Sequence, residues 1–147
     1  MEKAPESIKD QTVKHHLIQQ ATELLDEALM IFDIATARFT YVSSGYHKLW
    51  QRDPTALLEN SRDWLAGLSV TERWQLLRTL CHHRHDKHPY RIEFPLCAGT
   101  HQHKWVQMRF YPEQDEQGNN HRLVILDDDI TEIRYQEERL RFEANHD

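Results

Sequence analysis

The sequence predicts an α+β domain: a five-stranded antiparallel sheet with helices on one face and a helix leaving at each end. Two strand-like segments stand early in the chain, close enough to form a hairpin, and three more stand together late in it. Between and outside these segments, apolar residues recur at helical spacing. With 147 residues, 39% hydrophobic and 29% charged, the chain has material for one core and is too short for two ordinary domains.

The elements follow in order. Over residues 11–27, Val13, Leu17, Ala21, Leu24 and then Ala28 trace a helical stripe, with Ile18 and Leu25 beside it. Residues 29–34 form a short apolar run that reads as a buried strand. After a connection at 35–37, residues 38–43 alternate apolar and polar with aromatic and β-branched types, the mark of a second strand. Tyr46, Leu49 and Trp50 suggest a turn or two of helix. Asp53 then offers an N-cap, with Pro54 at the first helical position, where its missing N–H costs nothing. Ser69 and Glu72 have capping-box spacing ahead of Trp74, Leu76, Leu77 and Leu80, so the longest internal helix is placed at 70–83.

Three strands follow. Ile92, Phe94 and Leu96 share one face of the first, and Val106, Met108 and Phe110 share the matching face of the second. Pro112 is expected to end that second strand, before a polar hairpin loop at 113–120 containing Gly118. Residues 123–126 form the last and most apolar strand. Asp127, Asp128 and Asp129 cannot converge on one ion, because neighbouring strand residues alternate faces, so they read as a solvated strand exit with Asp129 as a helix N-cap. Beyond them Ile130, Ile133, Leu140 and Ala144 make one narrow apolar stripe with Glu137 in the seam, a heptad-like pattern that needs a partner helix. The organisation is therefore a tail and amphipathic helix at 1–27, a core at 28–129 and an output helix at 130–147.

Composition excludes several function classes. Lys and Arg total 18 against 24 Asp and Glu, a net charge of −6, which argues against a nucleic-acid or anionic-membrane binder. No apolar run approaches the ~18 residues a membrane span requires, and the N-terminus lacks the apolar stretch of a signal peptide. The two cysteines, Cys81 and Cys97, suit free thiols in a reducing cytoplasm. No nucleophile elbow, P-loop, zinc-protease motif or Gly-rich dinucleotide turn is present, so a regulatory domain is expected rather than an enzyme. His82, His83, His85 and His88, with His101 and His103 later, include enough imidazole for a metal. The same cluster follows a helix end, where such groups suit the macrodipole, and it reads first as a solvated helix exit.

Five ordered motifs carry a family resemblance. Residues 41–50, YVSSGYHKLW, look like the second-strand motif of a PAS domain, typically YVSxxYxxxWG. Residues 61–68, SRDWLAGL, are similar to the xxWLxxI segment of that family. Lys104, Trp105 and Val106 resemble its RWV, preceded by Gly99 in the usual glycine turn, and 115–119, DEQGN, its DxxG hairpin. Asp129, Ile130, Thr131 and Glu132 match the DIT(E) motif that closes many PAS cores. Two departures stand out: Ser69-Val70-Thr71-Glu72-Arg73 replaces HPxDR, and Gln51 replaces the glycine after the tryptophan. Residues 141–147 resemble the entry to a GGDEF diguanylate cyclase domain, so the chain is expected to be a sensor portion taken from a longer bacterial signalling protein that makes cyclic di-GMP.

The resemblance implies a cytoplasmic sensory module that binds a small ligand or other cue and regulates a C-terminal effector through rearranged helices in a homodimer. A pocket would lie between the sheet and the helices, with Met30, Phe32, Trp64, Leu77, Phe94, Met108, Phe110 and Ile125 as candidate lining; the same side chains would equally fill a packed core. Asp129 and Thr131 would transfer the signal, and Leu17, Leu24, Ile133 and Leu140 would form the dimer helices. No particular cofactor or metal is implied. Flavin-cysteinyl photochemistry is disfavoured, since Ser61 stands where that subfamily has its reactive cysteine. Two alternatives remain open: a ligand-free dimerisation spacer, and a haem or metal sensor using the His82–His88 cluster.

Overall fold

Two hairpin strands, β1 (Ala28–Asp33) and β2 (Arg38–Val42), open the sheet. Four helices cross over next: α1 (Gly45–Trp50), α2 (Pro54–Glu59), α3 (Asp63–Ala66) and α4 (Val70–His82). Then come β3 (Tyr90–Leu96), β4 (Lys104–Gln114) and β5 (Asn120–Asp129), and α5 (Thr131–Ala144) leaves the core. The structure, a computed structural model, describes residues 27–96 and 104–145; the predicted N-terminal helix, with Leu17 and Leu24, and also Cys97, Gly99, His101 and His103 lie outside them. The sheet is five-stranded and antiparallel, in the order β2-β1-β5-β4-β3, so the last strand enters between the first and the fourth.

Local chemistry sets the helix starts. Asp53 caps α2 by accepting the Thr55 N–H at 2.9 Å, with Pro54 in the first turn. Ser69 and Glu72 close a reciprocal capping box on α4: Ser69 Oγ accepts the Glu72 N–H at 3.2 Å, and Glu72 Oε2 accepts the Ser69 N–H at 2.8 Å. Ser43, buried at the end of the hairpin, accepts the Leu29 N–H on its hydroxyl at 2.8 Å. Next to it, a Cβ on Gly45 would stand 2.1 Å from the Glu27 carbonyl oxygen, so only glycine lets α1 start there.

One face of the sheet is the core face. Alternation puts Met30, Ile125, Met108, Phe110, Phe94 and Leu96 on it, all at most 1% exposed. Tyr46 and Trp50 of α1, Leu57 of α2, Trp64 of α3 and Leu76 of α4 pack onto it.

Three sequence expectations are corrected. Strand β1 runs Ala28–Asp33, so Ile34 begins the turn and is 41% exposed. Pro112 does not end β4, which continues to Gln114: the pairing with β3 stops at Tyr90 and Phe110, and past it no described strand pairs with that edge of β4, which tolerates a residue without an N–H. Asp127 is not part of a solvated exit but is wholly buried on the core face, between Ala28 and Met108 in register.

Candidate functional site

Where α3 and the C-terminal half of α4 pass over the hairpin end of the sheet, they do not close on it. A cavity of about 320 Å³ remains. Phe32, Phe39, Tyr90, Leu123 and Ile125 from the sheet, with Trp64, Leu65, Leu77 and Leu80 from the helices, make its walls apolar; Ser61, Arg62, His83, Arg84 and Asn120 supply the polar groups. Phe39 meets Phe32 edge-on at 5.0 Å and Trp64 at 5.4 Å, an aromatic wall that fixes one side.

The structure divides the predicted lining residues. Phe32, Trp64, Leu77 and Ile125 line the cavity. Met30, Phe94, Met108 and Phe110 do not: they are buried and packed by neighbours. Trp50 covers Phe94, with ring centroids 6.4 Å apart, and Tyr90 stacks on Phe110 at 4.8 Å. The lining also includes residues that sequence reasoning did not single out for it, among them Phe39, Tyr90, Leu80 and the pair Ser61 and Arg62. Phe39 belongs to β2 and Tyr90 opens β3; only the placement of α4 shows that they border a space.

The described histidines do not assemble. Among the described residues, no three His, Cys, Asp or Glu side chains form a group fit to hold a metal ion. His83 instead stacks on Tyr90 at 4.1 Å and pairs through Nδ1 with Asp86 at 2.7 Å, so it is part of the cavity wall and not merely a solvated helix exit. His82 meets His83 edge-on at 4.8 Å, and His85 and His88 are exposed. Burial and the nearby Asp86 charge push the Tyr90 phenol up to about 12, so it stays neutral.

A second arrangement lies where β5 gives way to α5. Asp129 Oδ1 accepts from the Thr131 N–H at 3.0 Å and from the Thr131 hydroxyl. Thr131 Oγ1 in turn accepts the Trp105 N–H at 2.9 Å, and the Trp105 carbonyl accepts the Ile130 N–H at 2.8 Å. Asp129 therefore holds the first helical turn from one residue before the cap, which is Ile130. Sequence reasoning missed Arg134, whose guanidinium lies 3.7 Å from the Trp105 ring centroid and donates to Glu93 at 3.0 Å, pinning α5 to β4 and β3. On α5, Ile133 and Leu140 are 56% and 66% exposed.

On the sheet face opposite the core, Arg109 donates to Asp128 at 2.9 Å and lies 3.7 Å from Glu27. Burial, then the hydrogen bond and charge of Asp128, push the Glu27 carboxyl up to about 7 against the opposing pull of Arg109.

No family model matches the sequence, and no curated protein matches it. Solved structures do. The N-terminal domain of a diguanylate cyclase with PAS/PAC sensor from Marinobacter aquaeolei superimposes with a TM-score of 0.63 at 11% identity, covering 71% of this chain and 95% of that one. A sensory box histidine kinase/response regulator from Burkholderia thailandensis E264 gives 0.64 at 19% identity over 87% of this chain and 95% of that one. The PAS domain of a Colwellia psychrerythraea protein gives 0.61 at 13% identity over 85% and 98%. Sheet order, helical crossover and these superpositions agree: the chain has the PAS fold.

Proposed function

We propose that this chain is the sensory module of a bacterial signalling protein, regulatory rather than catalytic, which takes a small ligand in the cavity between the sheet and α3–α4. The observation that carries the reading is that cavity, apolar and about 320 Å³, within the size range of small-molecule sites. Ligand entry repacks the hairpin end of the sheet, and the Asp129–Thr131–Trp105 connection passes the shift to α5. The exposed Ile133 and Leu140 pair with a second copy, so α5 works in a homodimer in the cytoplasm and biases an effector between two packings. A diguanylate cyclase is the effector we favour. The resemblance of residues 141–147 to the entry of a GGDEF domain supports it, as does the superposition on the N-terminal domain of a diguanylate cyclase with PAS/PAC sensor.

Native mass spectrometry of the freshly purified chain, compared with its denatured mass, tests the reading. Extra non-covalent mass on a dimer is expected. A native mass that is a whole multiple of the bare chain favours a ligand-free spacer. A Soret band would instead favour haem.

A further inference from the structure

The polar groups of the cavity are one-sided. Among its described lining residues there is no aspartate or glutamate, although the chain as a whole carries a net charge of −6. The charged residues lining it are Arg62 and Arg84, both exposed and so at its solvent end, with Ser61 and Asn120 beside them. Arg62 gives its backbone N–H to Asn60 at 3.1 Å, and its guanidinium donates to no described residue. The Arg84 guanidinium makes, among the described residues, only a long approach to Cys81 Sγ, 4.0 Å, with its Nη1. Asp86, two residues beyond Arg84, is engaged with His83. Two guanidinium groups without carboxylate partners among the described residues thus line the mouth of an apolar chamber, an arrangement that suits an anion carried on a hydrocarbon body.

We infer that the cavity takes a small monocarboxylic acid with an apolar aliphatic or aromatic body, its carboxylate at Arg62 and Arg84 and its body among Phe32, Trp64, Leu77 and Ile125. This rests on the sensory reading above and deepens it. The chamber holds about ten water-sized volumes of ~30 Å³ each, which suits an acid of roughly ten non-hydrogen atoms. The planar fork of an arginine matches a carboxylate in two parallel hydrogen bonds, a match that neither an alcohol nor an amine reproduces.

Calorimetric titration of the full chain with octanoate, 1-octanol and octylamine tests the inference, alongside the Arg62→Gln/Arg84→Gln double variant. Octanoate is expected to bind about tenfold or more tighter than octanol in the unaltered protein. The double variant is expected to lose that preference while keeping its octanol affinity, which also shows that it folds. Octanol or octylamine binding as tightly as octanoate overturns the carboxylate and leaves the ligand pocket standing. No binding of any of the three overturns both readings.

Discussion

The indole Nε1 of Trp50 donates to Asp127 Oδ2 at 2.9 Å, both residues being 0% exposed, and so joins the end of α1 to β5 across 77 positions of sequence. Burial holds the Asp127 carboxyl well above the usual carboxylate range, against the Trp50 hydrogen bond that lowers it, and Asp128 raises it further. Replacing Asp127 by alanine leaves a buried N–H without an acceptor and is expected to cost about 1–3 kcal/mol. Asp127→Asn keeps an acceptor and is expected to cost less. Urea denaturation at pH 7 checks this; equal losses in the two variants would remove the hydrogen bond from the explanation.

Gln51 ends α1 with φ at 57°, in the left-handed region, where the motif it resembles has glycine. A Cβ there is strained, while glycine adopts the same angle freely at some entropic cost in the unfolded chain. Gln51→Gly is therefore expected to stabilise the fold by about 0.5–1 kcal/mol. A lowered melting temperature would show that the side chain contributes more than the backbone loses.

Glu27 titrates near pH 7 in the folded chain, above its ordinary value near 4.5. The folded state therefore holds this proton more tightly than the unfolded state. Its contribution is fully present below about 4.5 and is lost as pH rises through about 7. Between pH 5 and pH 8 stability is expected to fall, and Glu27→Gln is expected to flatten that slope. Chemical denaturation at several pH values gives the comparison; an unchanged slope would count against the raised Glu27 carboxyl.

On α5, Leu140 is 66% exposed, and the proposed homodimer would bury it. A charge there opposes helix pairing without touching the core, so Leu140→Asp is expected to lower the sedimentation coefficient to that of a monomer and leave the far-ultraviolet circular dichroism intact. Retention of a dimer would move the interface elsewhere.

Much of the fold was legible because its signals are local. Asp53 with Pro54, and Ser69 with Glu72, announce helix starts within four residues, and the alternation of Phe94, Met108 and Ile125 assigns them to one sheet face without knowledge of their neighbours. The DIT motif likewise carried its geometry with it, since Asp129 and Thr131 bond to each other. Arg134 gave no such signal: a charged residue on a polar helix looks like any other until Trp105 lies beneath it.

Sequence by itself determined that the strands exist, the N-caps of α2 and α4 and the face shared by residues such as Phe94 and Met108, because backbone propensity and side-chain periodicity act over a few residues. Tertiary structure decided which members of that face are solid core and which border a space. Phe94 and Phe110 are covered by Trp50 and Tyr90, whereas Phe32 and Ile125 face the gap under α4. It also decided that Asp127, third from the end of a strand and followed by two more acids, is buried. The cost of burying that carboxyl is offset by an indole N–H brought from α1, a residue no local pattern links to it.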